Sequence, residues 1–268
     1  MLILRIILRR IRSLDFVQKM LKRFIFFVFL LNSTLGVCDN SIPHWDEVQA
    51  FLIPNEHPIK KTLDKLFQKS RPTASFRALR KAGFIFEIPR TPDRLTVAQH
   101  PKLKGYLLKI FRDDQLMVPD EAYHWIQRII GTRLIQDSID KHGYQQIMKA
   151  PKKWIYHLPH TALPRAGSFI RRYYLLVVED MKVVNAIKNE RYFRTKMTRE
   201  KLEALYVILK ENVLIDSIYI DNIPFCRDGK MAFVDTEHYH TDLKPLRLHR
   251  LTYRFAPEMQ DYWQSLIQ

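Results

Sequence analysis

Glycine is scarce in this chain, with seven residues in 268. That excludes folds built on several glycine-rich loops, where positive φ or close backbone approach demands a residue without Cβ. Cysteine is scarcer still: Cys38 and Cys226 only. A disulfide framework is therefore excluded, and the core itself must hold the fold. No internal repeat or low-complexity tract is visible, which excludes solenoids and compositionally biased tails. Acidic side chains are outnumbered 28 to 44 by lysine and arginine, leaving a formal charge of +16.

The N-terminus is distinctive. Arg5, Arg9, Arg10, Arg12, Lys19, Lys22 and Arg23 precede an apolar run from Phe24 to Leu31, followed by small and polar residues up to Cys38. This is the pattern of a secretory signal peptide over residues 1–38, and Met20 begins a compact signal by itself. The expectation is export, to a periplasm or outside the cell. The alternative is an uncleaved segment that anchors the protein to a membrane. Seven bases and Asp15 give residues 1–38 a charge of +6, so the remainder carries 16 − 6 = +10. Such an excess favours anionic partners: a lipid surface, nucleic acid or phosphorylated ligands.

Hydrophobic periodicity divides the rest. Residues 39–79 read as an extension with short helices, one from Pro58 with Leu63, Leu66 and Phe67 inward, another from Thr73 to Ala82 ending at Gly83. Phe84–Ile88, Leu95–Ala98 and Tyr106–Phe111 read as a three-stranded meander. A helix of about twenty residues follows from Asp120 to His142. Trp154–Leu158 and Tyr173–Val178 are two more strands. From Glu179 the pattern is mainly helical, with Thr198 capping a helix that carries Leu202, Leu205, Tyr206 and Leu209 on one face. A short helix from Glu258 to Leu266 closes the chain. The fold class is α+β.

One stretch has spacing that implies chemistry. Between Asp216 and Glu237, Asp228-Gly229 predicts a tight two-residue β-hairpin turn. A hairpin with near-equal arms brings Asn222 beside Asp235, two oxygen ligands suited to a divalent cation. Single-residue readings compete: Asn222 as a turn residue, Asp235 as a helix cap, Lys109 as an ordinary strand lysine.

The order of three strands, helix, two strands, helices and hairpin, with Lys109 in Gly105-Tyr106-Leu107-Leu108-Lys109-Ile110, resembles the protein-kinase-like fold. The resemblance spans roughly residues 80–240. It implies a two-lobed protein, with residues 80–178 as first lobe and 179–268 as a truncated second lobe. It also implies ATP and Mg²⁺ as cofactors: Lys109 on the α- and β-phosphates, Asn222 and Asp235 on the metal, and Glu121 as the helix carboxylate facing Lys109. Tyr174–Met181 resembles the fifth strand and hinge, placing backbone groups from Glu179 to Met181 against an adenine ring. The resemblance implies Asp216 or Asp221 as the catalytic base.

Departures from the family pattern are specific. The base aspartate stands five residues before the asparagine in the family motif, and here that position is Ser217. A serine cannot accept a substrate proton as a carboxylate does. No glycine-rich phosphate loop precedes Lys109; the turn holds Pro89, Arg90, Pro92 and Arg94, whose arginines could reach phosphates as side chains. Three functions follow as expectations: a phosphotransferase, a catalytically inactive pseudokinase used as a binding or regulatory module, or a secreted basic protein for anionic lipid or nucleic acid. A separate constellation, Glu237, His238, His240, Asp242 and His249, holds metal-capable side chains in a basic loop. Cys226, in an apolar hairpin arm, reads as a small core residue.

Overall fold

The computed structural model describes residues 42–89, 91, 95–116, 118–215, 217–240 and 246–268. The signal segment over 1–38, the candidate base Asp216, the turn arginines Arg90 and Arg94, and Asp242 lie outside the described residues. Residues 43–268 form one compact unit.

The elements in chain order are α1 (Trp45–Val48), α2 (Lys60–Phe67), α3 (Phe76–Lys81), β1 (Ile85–Phe86), β2 (Thr96–Gln99), β3 (Tyr106–Ile110), α4 (Glu121–Lys141), β4 (Met148–Lys149), β5 (Lys153–His157), β6 (Tyr174–Glu179), α5 (Ala186–Thr195), α6 (Arg199–Glu211), β7 (Met231–Ala232) and α7 (Pro257–Ile267). Five strands make one antiparallel sheet in the order β1-β2-β3-β6-β5. A mostly helical C-terminal part follows. The α+β expectation holds at this level.

Side-chain alternation assigns the two faces of the sheet. Leu108 and Ile110 of β3, Leu175 and Val177 of β6 and Tyr156 of β5 join Leu63, Phe67 and Leu79 of the preceding helices in one core. Lys109 and Lys153 therefore project from the opposite face, the one that α4 covers. β6 lies between β3 and β5 and is buried on both faces, which explains its unbroken apolar run rather than an alternating one. A second core joins Ile135 and Ile139 of α4 to Leu202, Leu205 and Leu209 of α6, Phe225 and Phe233 of the hairpin, and Trp263 of α7.

Caps set the helix limits. The Asp120 side chain accepts from the Tyr123 amide and starts α4; Thr198 does the same for α6 through Lys201. The expected Thr73–Ala82 helix is shorter. Residues Pro72–Ala74 form a 3₁₀ turn, Ser75 is extended at φ −166°, and its hydroxyl caps α3 by accepting from Ala78. Ser competes for backbone bonds locally, and here that splits the helix in two.

The hairpin is present with a different turn. Cys226 accepts from the Gly229 amide at 3.0 Å and donates to Lys230 O at 2.8 Å. The loop is thus three residues, Arg227, Asp228 and Gly229, with positive φ (82°) at Gly229 and not at Asp228. That is the turn-plus-bulge solution rather than the expected two-residue primed turn. The arms run in register beyond it: Ala232 donates to Pro224 O and Val234 to Asn222 O, at 2.9 and 3.0 Å. A short parallel pair, β4 with β7, ties the hairpin to the chain leaving α4. Two-residue strands carry too little periodicity to be read from sequence.

Candidate functional site

Segment 234–237 leaves the hairpin and crosses α4 at Gly131. A Cβ there would stand 1.9 Å from the Thr236 carbonyl oxygen and 2.8 Å from the Tyr239 ring. Glycine is thus required by contact and not by dihedral angle. The crossing is fastened on both sides. The Thr236 hydroxyl donates to Arg128 O at 2.6 Å, lies 3.0 Å from Thr132 Oγ1 and accepts from Lys153 Nζ at 2.7 Å.

This places Asp235 under Lys109. The lysine amine donates to Val234 O at 3.1 Å and lies 3.8 Å from Asp235 Oδ1, across more than 120 residues of sequence. Of the expected group, then, Lys109 and Asp235 are brought together, and Asn222 is tied to them through its backbone carbonyl, which accepts from Val234 N at 3.0 Å. The Ser217 hydroxyl also donates to Asp235 O, at 3.4 Å, so the chain before Asn222 does pass the site. Asp221 is exposed on the turn closed by Asn222 N donating to Tyr219 O.

Glu121 is elsewhere. Its carboxylate accepts from the amides of Tyr173 and Tyr174 at the start of β6, leaving Oε2 buried without a partner. Burial pushes its carboxyl up to about 7, against the pull of those amides and of Arg172. The expected Lys109–Glu121 ion pair does not form, because the first turn of α4 lies over the entry of β6. The helix residues that reach the site are two turns on. Arg128 pairs with Asp235, and its other terminal nitrogen lies 2.6 Å from Glu237. Arg128 Nε donates to His124 Nε2 at 3.0 Å.

The electrostatics follow from that exchange. Burial, with Arg128 alongside, brings the Lys109 amine down to about 8 despite Asp235 and Glu237. Burial and the neighbouring cations push Lys153 well below its ordinary range. Asp235 is held at about 2: burial opposes ionisation, but Lys109 and Arg128 overcome it. His124, half-buried and beside Arg128, falls to about 3 and stays neutral. Burial raises the Glu237 carboxyl, with Asp235 adding to the push and Arg128 pulling the other way.

These residues do not fit a divalent ion well. Asp235 and Glu237 already face Arg128, Lys109 and Lys153, so their charge is balanced by side chains. Among the described residues no group of three or more His, Cys, Asp or Glu could hold a metal, and His238 and His240 do not form one. The Glu179 and Asp180 amides are used by Lys152 O and Gly105 O, both within 2.9 Å. Among the described residues the Met181 amide has no protein acceptor, while the Met181 side chain packs with Cys226, Ala232 and Val234 of the hairpin. Burial pushes the Cys226 thiol up to about 11, in keeping with a core residue.

Sequence reasoning missed Arg128, His124 and Gly131. The available signal was the lone glycine inside an otherwise helical run, which marks a close approach to a helix. No protein-family model matches the chain, and no curated protein matches it either. Among the described residues no helix is long and apolar enough to cross a membrane.

Proposed function

We propose that the chain is a protein-kinase-like module that binds a nucleotide at Lys109 and does not transfer its phosphate. The observation that carries this reading is Lys109 of a sheet strand meeting Asp235 at 3.8 Å, beside the Asn222–Val234 rung of the hairpin. The Met181 amide, without a protein acceptor among the described residues and next to a small apolar cluster, supports a purine edge there. Ser217 at the base position, and Asp235 engaged by Arg128, weigh against turnover.

Phosphotransfer, the second reading, requires a carboxylate to take a hydroxyl proton and a free Asp235 for Mg²⁺. Asp221 and Asp216 are the carboxylates near the right sequence position, and among the described residues no contact ties Asp221 to the cluster. Export and docking on an anionic surface are compatible with the charge of +10 left after residue 38.

Two measurements on the same preparation test the proposal. Saturating ADP or ATP at a hundredfold excess over Kd stabilises by about 2.7 kcal/mol, a Tm rise of about 5–10 °C for a domain of this size. Incubation with radiolabelled ATP leaves it unhydrolysed and labels no acceptor. Turnover of ATP returns the phosphotransferase reading; the absence of any nucleotide shift removes both.

A further inference from the structure

The second turn of α4 presents to Asp235 an arginine where kinase-like chemistry needs a carboxylate facing the strand lysine. Exchanging Glu for Arg changes the local charge from −1 to +1, two units, which is the charge one divalent ion supplies. The guanidinium spans both acids of the segment, Asp235 through one terminal nitrogen and Glu237 through the other. Its position is fixed from several directions. Its Nε is held by His124 at 3.0 Å, its backbone carbonyl accepts from Thr236 and Lys153, and Gly131 lets segment 234–237 lie directly on the helix. Arg128 is nearly fully buried, so this is not a surface contact that water dissolves.

We propose that Arg128 takes the place of the divalent cation at Asp235, so that the site binds a metal-free nucleoside di- or triphosphate. This rests on the nucleotide-binding reading above. Lys109 supplies positive charge for phosphate oxygens, while the Arg128 guanidinium, a planar fork closed on Asp235 and Glu237, neutralises the acids that would otherwise repel them. Mg²⁺ in solution then competes with the protein: it neutralises the phosphates that Lys109 would contact, and at Asp235 it meets a carboxylate already paired through Oδ1 with Arg128.

The test is ADP binding to the full chain by calorimetry, once in EDTA and once in excess Mg²⁺, with Mn²⁺ alone as a separate Tm titration. The expected result is a Kd in EDTA equal to or tighter than in Mg²⁺, and a Tm unmoved by Mn²⁺ alone. A Kd weaker in EDTA by more than about threefold overturns the inference while leaving the nucleotide reading intact. No binding in either buffer overturns the nucleotide reading and the inference with it. Arg128→Glu restores a carboxylate opposite Lys109 and frees Asp235; its Tm is expected to rise with Mn²⁺ where the parent's does not. An Arg128→Glu protein that folds yet ignores Mn²⁺ contradicts the assigned role of Arg128. If that variant does not fold, the two-buffer comparison on the parent decides.

Discussion

Lys109 and Asp113 are four residues apart and have opposite effects on stability. The Lys109 amine is depressed to about 8 by burial and Arg128. Its folded value lies below its unfolded one, so the native state binds fewer protons between about 8 and 10.5, and the penalty is fullest below pH 8. Relieving it gains up to about 3 kcal/mol, reduced by about 1 kcal/mol for the lost bond to Val234 O. Lys109→Met is therefore expected to melt at or above the parent Tm at pH 7, measured without ligand. A Tm several degrees lower would show the lysine to be structural. Asp113 is the reverse case. Fully buried, it accepts from Arg71 at 2.8 and 2.9 Å, from Thr73 and from the Arg172 amide. Asp113→Ala leaves guanidinium charge buried and unpaired, a loss of about 3–5 kcal/mol readable by urea denaturation. Nothing in the sequence shows this network, since its members are separated by 40 residues and more. Glu121 contributes a pH dependence of its own. Its folded value, about 7, exceeds the ordinary 4.5, so its contribution is complete below pH 4.5 and is lost as pH rises through 7. Glu121→Gln should flatten that decline in a Tm–pH profile; an unchanged slope would place the titration elsewhere.

At the scale of elements, the crossing of α4 by segment 234–237 decides which helix residues enter the site. The limits of α4 were legible to one residue, because Asp120 caps it and its buried positions recur with helical spacing. Which face meets Asp235 was not legible. A helix of 21 residues presents every direction, and the close approach at Gly131 together with the Thr236 bonds to Arg128 O and Thr132 sets the register that selects Arg128 and excludes Glu121. In an exposed helix Gly→Ala stabilises by about 1 kcal/mol. Here the added methyl meets backbone at 1.9 Å, and overpacking of this kind costs about 1–3 kcal/mol. Gly131→Ala is accordingly expected to lower Tm and to weaken ADP binding together. A stabilised variant with intact binding would show the close approach to be absent. The hairpin was legible because Asp228-Gly229 has few alternatives, yet the loop length was not. The Lys149–Asp228 ion pair at 2.8 Å that fastens the loop comes from β4, which lies almost eighty residues earlier in the chain.

For the whole molecule, strand order follows from connections that the sequence spaces clearly. Three short strands, a long helix and two strands leave β6 the place between β3 and β5, and its apolar run requires burial on both faces. The two cores meet along α4, whose Ile135 and Ile139 belong to the C-terminal one while its earlier turns cover the sheet. A ligand at Lys109 and Asp235 touches both the sheet and the hairpin, so it should stabilise the unit as a whole and not one part. The most direct measurement of the central claim is the ADP binding isotherm of the parent against Lys109→Met, both shown to be folded by Tm. The account predicts saturable one-to-one binding to the parent and its loss in Lys109→Met without loss of stability. Equal affinity in the two proteins, or no binding to the parent, would contradict it.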